Sequence, residues 1–249
     1  MRQSTPYYIM DNLGSEIKAE EAENYWEMLG LHLKSQEISG MHPEILKRWQ
    51  RFHTLLASKN EVMNLTRIES DKDAILKHYL DSWLCWNVVN ANYDGSKLKN
   101  LLDFGCGGGF PSFPIALGLN RALELILVDA RQKKLKFLEE AALELELKVK
   151  TVHAHWTAKE SRVWAKSNFL ADCVMARAVG SSNELIHTLA PVTGKVLLLT
   201  RGPNLMDQEW EESKFLAKRS GFGVCQHFKE ELTFADTRIE RNLFLFVKE

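Results

Sequence analysis

The sequence lacks the features of a disulfide-stabilised or zinc-binding protein. Its four cysteines, Cys85, Cys106, Cys173 and Cys225, are far apart, form no CxxC pair and have no pair of histidines at ligand spacing. We therefore expect no metal site. No apolar run approaches the roughly 18 residues that a membrane span needs, and the first residues are followed by acids rather than by the apolar segment of a signal peptide. These absences predict a cytoplasmic protein that makes no contact with a membrane.

The sequence also lacks an excess of charge of either sign. Its 32 basic and 33 acidic residues give a net charge of -1, so no overall field attracts nucleic acid and any such contact must use a local patch. No internal repeat and no low-complexity tract is present. With 249 residues, 45% of them hydrophobic, the chain has room for one α/β domain with an appendage, or at most two small domains.

The first third of the chain has the periodicity of helices. Ile45, Trp49, Phe52 and Leu56 recur at helical spacing. A second apolar stripe follows Ser70, a candidate N-cap with Asp73 at the third helical position, and consists of Ile75, Tyr79, Leu80, Trp83 and Leu84. The pattern predicts a helical extension, residues 1–94, that packs on the rest of the protein.

From residue 95 onward, short apolar runs alternate with helical patterns. The predicted strands lie at 98–104, 123–130, 148–155, 171–179, 194–202, 223–228 and 241–249, and the predicted helices at 112–119, 131–147, 183–190 and 205–219. Alternation of this kind is typical of a doubly wound, mostly parallel sheet, here of seven strands. No helix separates the last two strands, which indicates an antiparallel hairpin at one edge.

The stretch "LLDFGCGGGFPSFP", residues 101–114, places four glycines within five positions directly after the first predicted strand. Ligands of doubly wound sheets bind at this turn, where a side chain would block close approach. The dinucleotide pattern GxGxxG would need a glycine at 110, where Phe110 stands. The remaining pattern, (Asp)xGxGxG with Gly105, Gly107 and Gly109, is the loop form of S-adenosylmethionine-dependent methyltransferases.

Asp129 follows the second predicted strand, about 20 residues after the glycines, where an acid accepts hydrogen bonds from ribose hydroxyls. The ribose is common to NAD and S-adenosylmethionine, so Asp129 indicates a nucleoside without choosing between them. It could equally cap the helix that begins near residue 131, and the two roles are compatible.

Longer segments resemble the bacterial 16S rRNA guanine-N7 methyltransferase family, also called glucose-inhibited division protein B. The resemblance begins near residue 43 and runs to the C-terminus. It is carried by "NEVMNLTRIESDKDAILKHYLDSW", "LLDFGCGGGFPSFPIAL" with both prolines in place, "LVDARQKKLKFLEEAALELEL" and "VMARAV".

This resemblance implies a class I methyltransferase (Rossmann-like) domain over residues 95–249 and S-adenosylmethionine as the methyl donor. The implied acceptor is a guanine in the 530 loop of 16S rRNA, either free or in the small ribosomal subunit. We expect a monomer with no protein partner. The resemblance places the cofactor site at the glycine loop, Phe110, Trp156, Thr157 and Arg177, and Asp129 joins them on the argument above.

The sequence departs from the family pattern at three places. The family has a stretch like "RAEE" where this chain has "HWTA", residues 155–158, so Trp156 and Thr157 occupy the position without the expected acid. The family's "KG" after the fifth strand is Arg201-Gly202, and its "RH" near the end is Arg241-Asn242. Residues 1–42 lie largely outside the match, which leaves room for a divergent member with another RNA target.

Guanine N7 has an in-plane lone pair and no proton, so its attack on a sulfonium methyl group needs positioning rather than a general base. Arg177 and Arg201 are the candidate catalytic residues, as positioning groups for the base and phosphates, with His78 as a weaker candidate. Arg177 could instead form a structural ion pair. The basic run 131–136 and the trio Lys47, Arg48 and Arg51 could meet RNA phosphates or simply be solvated helix faces.

Three classes of function remain open. The first is a methyltransferase acting on ribosomal RNA, and the second is an NAD-dependent oxidoreductase, which Phe110 disfavours. The third is a catalytically inactive nucleoside-binding homologue, which the altered "HWTA" stretch leaves possible.

Overall fold

The computed structural model describes residues 8–10, 16–18, 24–35, 41–63, 70–167, 170–177 and 179–248. Two parts of the segments that carry the family resemblance lie outside the described residues. These are the "NLTRIE" stretch at 64–69 and Ala178 of "VMARAV".

The centre of the fold is a seven-stranded sheet with the strand order β5-β4-β3-β6-β7-β9-β8. Its strands are β3 (Asn100–Phe104), β4 (Glu124–Asp129), β5 (Val149–His153), β6 (Ala171–Arg177), β7 (Thr193–Arg201), β8 (Phe222–Phe234) and β9 (Thr237–Lys248). Strands β3 to β7 pair in parallel, whereas β9 runs antiparallel to both β7 and β8. The predicted doubly wound, mostly parallel sheet with an antiparallel hairpin at one edge is confirmed.

Helices cover both faces of the sheet, because the connections between parallel strands must cross over it. They are α5 (Ser112–Gly118), α6 (Gln132–Glu144), α7 (Ala158–Ser167), α8 (Ser182–Leu189) and α9 (Asp207–Arg219). Successive residues of β3 alternate between the two cores: Leu101 packs with α5 and α6, and Leu102 packs with α8.

Helix α7 was missing from the sequence prediction. Its apolar face is short, and Ser161 is the one residue of the helix that is fully buried. A signal was present at its start, where Thr157 and Glu160 have the spacing of a capping box.

The N-terminal part contains α1 (Tyr25–Ser35), α2 (Ile45–Met63), α3 (Asp71–Ala74), a π-helical segment Ile75–Leu80 and α4 (Asp81–Asn92). Two short antiparallel strands, β1 (Tyr8–Met10) and β2 (Glu16–Lys18), precede them and were not expected from the helical pattern. Single 3₁₀ turns lie at Gly95–Lys97 and Ala190–Val192. The Ser70 cap is confirmed, since its side chain accepts a hydrogen bond from the Asp73 N–H.

Helix α2 joins the N-terminal helices to the sheet domain. All four residues of its predicted apolar stripe are buried. The Trp49 indole donates to the carbonyl oxygen of Pro114 at 2.9 Å, and the Phe52 ring lies 4.8 Å from that of Phe113. One hydrophobic core therefore includes both the extension and one face of the sheet.

No helix among the described residues combines the length and the apolar character needed to span a bilayer.

Candidate functional site

The glycine loop lies at the carboxyl edge of the sheet, between β3 and α5. Gly105, Gly107 and Gly109 have φ angles of +74°, +55° and +95°. Residues other than glycine rarely adopt this backbone conformation. The Gly105 N–H donates to the carbonyl oxygen of Val128 at 2.8 Å, which ties the loop to β4. The peptide bond between Phe110 and Pro111 is cis.

Gly109 differs from the other two glycines because it faces the core. A Cβ atom there would lie 2.9 Å from Leu138 and 3.1 Å from Phe52, and Gly109 lines neither of the clefts beside the loop. Its smallness serves the packing of α5 against α6 and α2.

Asp129 connects the end of β4 to the loop. One carboxylate oxygen accepts the Gly107 N–H at 3.0 Å, and the other accepts the Arg131 N–H at 2.8 Å just before α6 begins. A carboxylate oxygen can accept more than one hydrogen bond, so these contacts leave room for ligand hydroxyls. Asp129 does not cap α6, since Arg131 is the N-cap residue and the helix has no side-chain capping hydrogen bond; the carboxylate instead ties the glycine loop to the turn that precedes the helix.

Two clefts meet at Gly105, one on each side of the loop. The tryptophan cleft, about 550 Å³, lies at the ends of β3, β4 and β5 and is lined by Phe104, Asp129, Trp156, Thr157, Val179, Leu185 and their neighbours. The arginine cleft, about 440 Å³, lies at the ends of β6 and β7 and is lined by Lys77, His78, Asp81, Phe110, Arg177, Thr200, Arg201, Arg241 and the loop itself. Gly105 is the residue that lines both clefts.

Trp156 forms an apolar wall of the tryptophan cleft. The residue is 7% exposed, and its ring is stacked on Phe104 at 6.1 Å and tilted against Trp164 at 5.3 Å. Such a wall suits a flat aromatic ligand.

Thr157 caps the first turn of α7. Its N–H donates to Glu160 at 2.9 Å, and its hydroxyl accepts the Lys159 N–H at 3.2 Å. The hydrogen bonds from Thr157 lower the pKa of the Glu160 carboxyl. The "HWTA" stretch thus supplies a cap and an aromatic wall where the family pattern has acids.

Arg177 projects from the end of β6 into the arginine cleft. Its guanidinium donates from Nη1 to the Asp81 carboxylate and to the Lys77 carbonyl oxygen, both at 2.8 Å, and lies 5.6 Å from the centre of the Phe110 ring. Arg177 therefore forms the ion pair that was considered as its alternative role. The pair, with Asp81, lies inside the arginine cleft.

Arg201, at the end of β7, lines the same cleft. Its Nη1 donates to the Gly180 carbonyl oxygen at 2.7 Å, and its Nη2 lies 3.0 Å from the Glu209 carboxylate. These contacts fix the guanidinium at the rim.

Phe110 and His78 form the apolar wall of the arginine cleft. Their rings are stacked, with centroids 4.1 Å apart and an angle of 10° between planes, and Phe110 is 5% exposed. Burial, together with the neighbouring Arg177 charge, lowers the pKa of His78 to about 3. His78 is therefore neutral at physiological pH.

A buried carboxylate lies below the loop. Asp103 accepts the Ser112 N–H at 3.2 Å through Oδ2, while its Oδ1 and the Ser112 hydroxyl have no hydrogen-bond partner among the described residues. Burial raises the pKa of Asp103 to about 6.

Asp81, Lys77 and Thr200 also line the arginine cleft but were not predicted from the sequence, and no role was predicted for Arg241. Asp81 had a detectable signal, because it is an acid inside the apolar stripe that includes Leu80 and Trp83. Such a position predicts a buried, paired carboxylate.

Of the two candidate basic surfaces, the trio on α2 makes contacts within the protein, whereas the run 131–136 is mostly exposed. Arg48 donates to the carbonyl oxygens of Leu117 and Leu119 at the end of α5, and Lys47 pairs with Glu44. Arg51 lies 3.8 Å from Glu144. In the run 131–136, Leu135 is buried, whereas Arg131 and Lys133 are exposed. No cluster of histidine, cysteine and acidic residues suited to a metal occurs in the described ranges.

Comparison with known proteins finds a family match over most of the chain. The family model for rRNA small subunit methyltransferase G (GidB) matches residues 45–237. Two relatives named ribosomal RNA small subunit methyltransferase G illustrate the similarity. The protein from Acetivibrio thermocellus is 31% identical over 88% of this chain and 84% of its own, and that from Oenococcus oeni is 32% identical over 77% of each.

Solved structures show the same fold at low sequence identity. Magnesium protoporphyrin IX methyltransferase from Synechocystis, determined with bound SAM, has a TM-score of 0.52 and 14% identity, and the alignment covers 92% of this chain and 99% of that one. An O-methyltransferase from Bacillus cereus in complex with SAH has a TM-score of 0.51 and 11% identity, with 80% and 91% covered. At this identity the likeness concerns the fold alone.

Proposed function

The chain belongs to the rRNA small subunit methyltransferase G family, and from that premise we propose that it methylates N7 of a guanine in the 530 loop of 16S rRNA. It is an S-adenosylmethionine-dependent RNA methyltransferase. The observation that carries the proposal is the pair of clefts that meet at Gly105. One cleft suits a nucleoside and the other suits an anionic nucleotide.

The residues of the tryptophan cleft fit the adenosine half of the cofactor. Trp156 would cover the adenine ring, and the Asp129 carboxylate would accept hydrogen bonds from the ribose hydroxyls. Gly105 and Gly107, lacking side chains, would let the amino acid half lie against the loop. When bound, S-adenosylmethionine supplies a methyl group on a cationic sulfonium.

The arginine cleft then receives the target nucleotide. The His78–Phe110 stack is flat and apolar and offers a surface for one face of the base. Arg177 and Arg201 lie at its sides, where they would donate hydrogen bonds to O6 or to phosphate oxygens. These residues would orient N7 toward the methyl group and exclude water, and no general base would be needed because N7 has no proton to lose.

Two structural proposals accompany this function. Residues 1–94 form a helical extension of a methyltransferase domain that spans 95–249, since α2 packs against α5 while the cofactor cleft is built from the strands that follow. We also propose that the protein acts as a monomer on 16S rRNA, free or within the small subunit.

The test measures the transfer of labelled methyl groups from S-adenosylmethionine to small ribosomal subunits that lack this modification. A parallel reaction uses free 16S rRNA as the substrate. We expect the label to appear in 16S rRNA. Label found only in another RNA would identify a divergent target, and binding of the cofactor without any transfer would identify an inactive homologue. Calorimetry with NADH should show no binding, and tight binding of NADH would contradict the proposal.

A further inference from the structure

Asp81 is the buried centre of the arginine cleft. Its side chain is 2% exposed, and it lies at the first residue of α4, next to the π-helical segment. One carboxylate oxygen accepts from Arg177 Nη1 at 2.8 Å, and the other accepts from Arg241 Nε at 2.9 Å. A single carboxylate from the helical extension thus orients two guanidinium groups that belong to two different strands of the sheet.

The arginine cleft has more cationic side chains than carboxylates that pair with them. Four cations line it, and their direct partners are three carboxylates: Lys77 pairs with Asp73, Arg201 pairs with Glu209, and Arg177 and Arg241 share Asp81. A pocket with one more cation than its paired anions favours an anionic ligand.

Arg241 is placed to meet that anion. Its Nε is held by Asp81, and its Nη1 donates to the Glu240 carbonyl oxygen at 3.0 Å. Nη2 has no hydrogen-bond partner among the described residues, and the side chain is 19% exposed. The guanidinium is therefore fixed at its Nε end, and Arg241 lines the arginine cleft.

We propose that Arg241 binds a phosphate of the target RNA and that Asp81 is the positioning residue that holds Arg241 and Arg177 in place for it. The inference rests on the proposed function and deepens it by naming the RNA group that is recognised. Buried charge pairs of this kind fix geometry rather than add stability, and a fixed guanidinium loses less side-chain entropy when it binds a phosphate.

The experiment measures the dissociation constant for unmethylated small ribosomal subunits against KCl concentration, in the presence of S-adenosylhomocysteine. Loss of one phosphate contact should flatten the slope of log K against log salt by about 0.7 to 0.9. We expect Arg241→Gln to flatten the slope by this amount and to weaken binding at least tenfold at low salt. Its affinity for S-adenosylmethionine should stay within threefold of that of the unmodified protein.

Arg238→Gln is the matched control. Arg238 lies on the same strand, pairs with Glu231 and Glu240, and lines neither cleft. Its variant should keep the original slope. Arg241→Gln with an unchanged slope would overturn the phosphate assignment.

The role of Asp81 is tested by Asp81→Asn alone and in the Arg241→Gln background. If Asp81 acts through Arg241, the single variant flattens the slope and the double variant flattens it no further than Arg241→Gln does. A merely structural Asp81 would lower thermal stability and leave the slope unchanged, which would overturn the positioning role. Because binding is read without catalysis, normal subunit binding with no methyl transfer would refute the proposed function and still decide this inference.

Discussion

Replacing Gly105 by alanine tests whether the bare backbone of the loop is what the cofactor approaches. The residue has a φ of +74°, and an added Cβ would lie 2.6 Å from Val179 Cγ2. The left-handed conformation costs an alanine about 1–2 kcal/mol, and the overlap with a stiff β-branched side chain costs about 1–3 kcal/mol more. We therefore expect Gly105→Ala to lower the free energy of unfolding by about 2–5 kcal/mol.

Gly221→Ala separates backbone strain from the effect on the site. Gly221 has a φ of +88°, and a Cβ there would meet nothing within 4 Å, so its variant should lose only about 1–2 kcal/mol. Both free energies come from urea unfolding. Adding Val179→Ala to Gly105→Ala removes the overlap and should restore about 1–3 kcal/mol.

Calorimetry with S-adenosylmethionine completes this test. Val179 lines the tryptophan cleft, so its displacement in Gly105→Ala should weaken binding at least about tenfold, equivalent to about 1.4 kcal/mol. Gly221→Ala should bind normally. If Gly105→Ala matched Gly221→Ala in both stability and affinity, the glycine loop would not be the cofactor site.

Three further variants test other parts of the site. His78 has a pKa of about 3 in the folded protein against about 6.5 when unfolded, so its contribution to stability is complete above pH 6.5 and is lost as the pH falls toward 3. Unfolding in urea at pH 7 and pH 5 should show about 2 kcal/mol of this loss, and a His78→Gln variant with the same pH dependence would contradict the burial argument. Asp129→Asn keeps the side chain's shape but loses its charge and an acceptor, so the dissociation constant for S-adenosylmethionine should rise about tenfold or more by calorimetry; an unchanged constant would remove Asp129 from the cofactor site. Arg48→Gln should cost about 1–3 kcal/mol of stability by leaving the α5 carbonyl groups without their donor and should leave the rate of methyl transfer unaltered, whereas a lower rate with intact stability would indicate an RNA contact.

Most of the sheet was predictable because its central parallel strands are buried on both faces and so read as continuous apolar runs. Leu125 to Val128 in β4 and Val196 to Leu199 in β7 are examples, all of them fully buried. The edge hairpin followed from the missing helix between the last two strands. Strand β8 extends well beyond its prediction, to Phe234, and its outer half was missed because the polar residues 229–231 interrupt the apolar pattern.

Gly105 and Asp129, which line the tryptophan cleft, were recognisable in the sequence because glycines and a strand-end acid are local signals. Only part of the arginine cleft was predicted from the sequence: Arg177 and Arg201 were identified, whereas Asp81 and Arg241 were given no role. Asp81 and Arg241 are 160 positions apart and meet only because β9 inserts between β7 and β8. A shared ion pair across that distance depends on the register of the sheet, which local periodicity does not encode.

The most direct test of the account maps the methyl group itself. Small ribosomal subunits that lack the modification are incubated with the protein and S-adenosylmethionine, and their 16S rRNA is cleaved chemically at N7-methylguanine and read by primer extension. We expect a single new cleavage at one guanine of the 530 loop, which is absent when the cofactor is omitted. Incorporation of a methyl group without cleavage there, or with cleavage elsewhere, would contradict it.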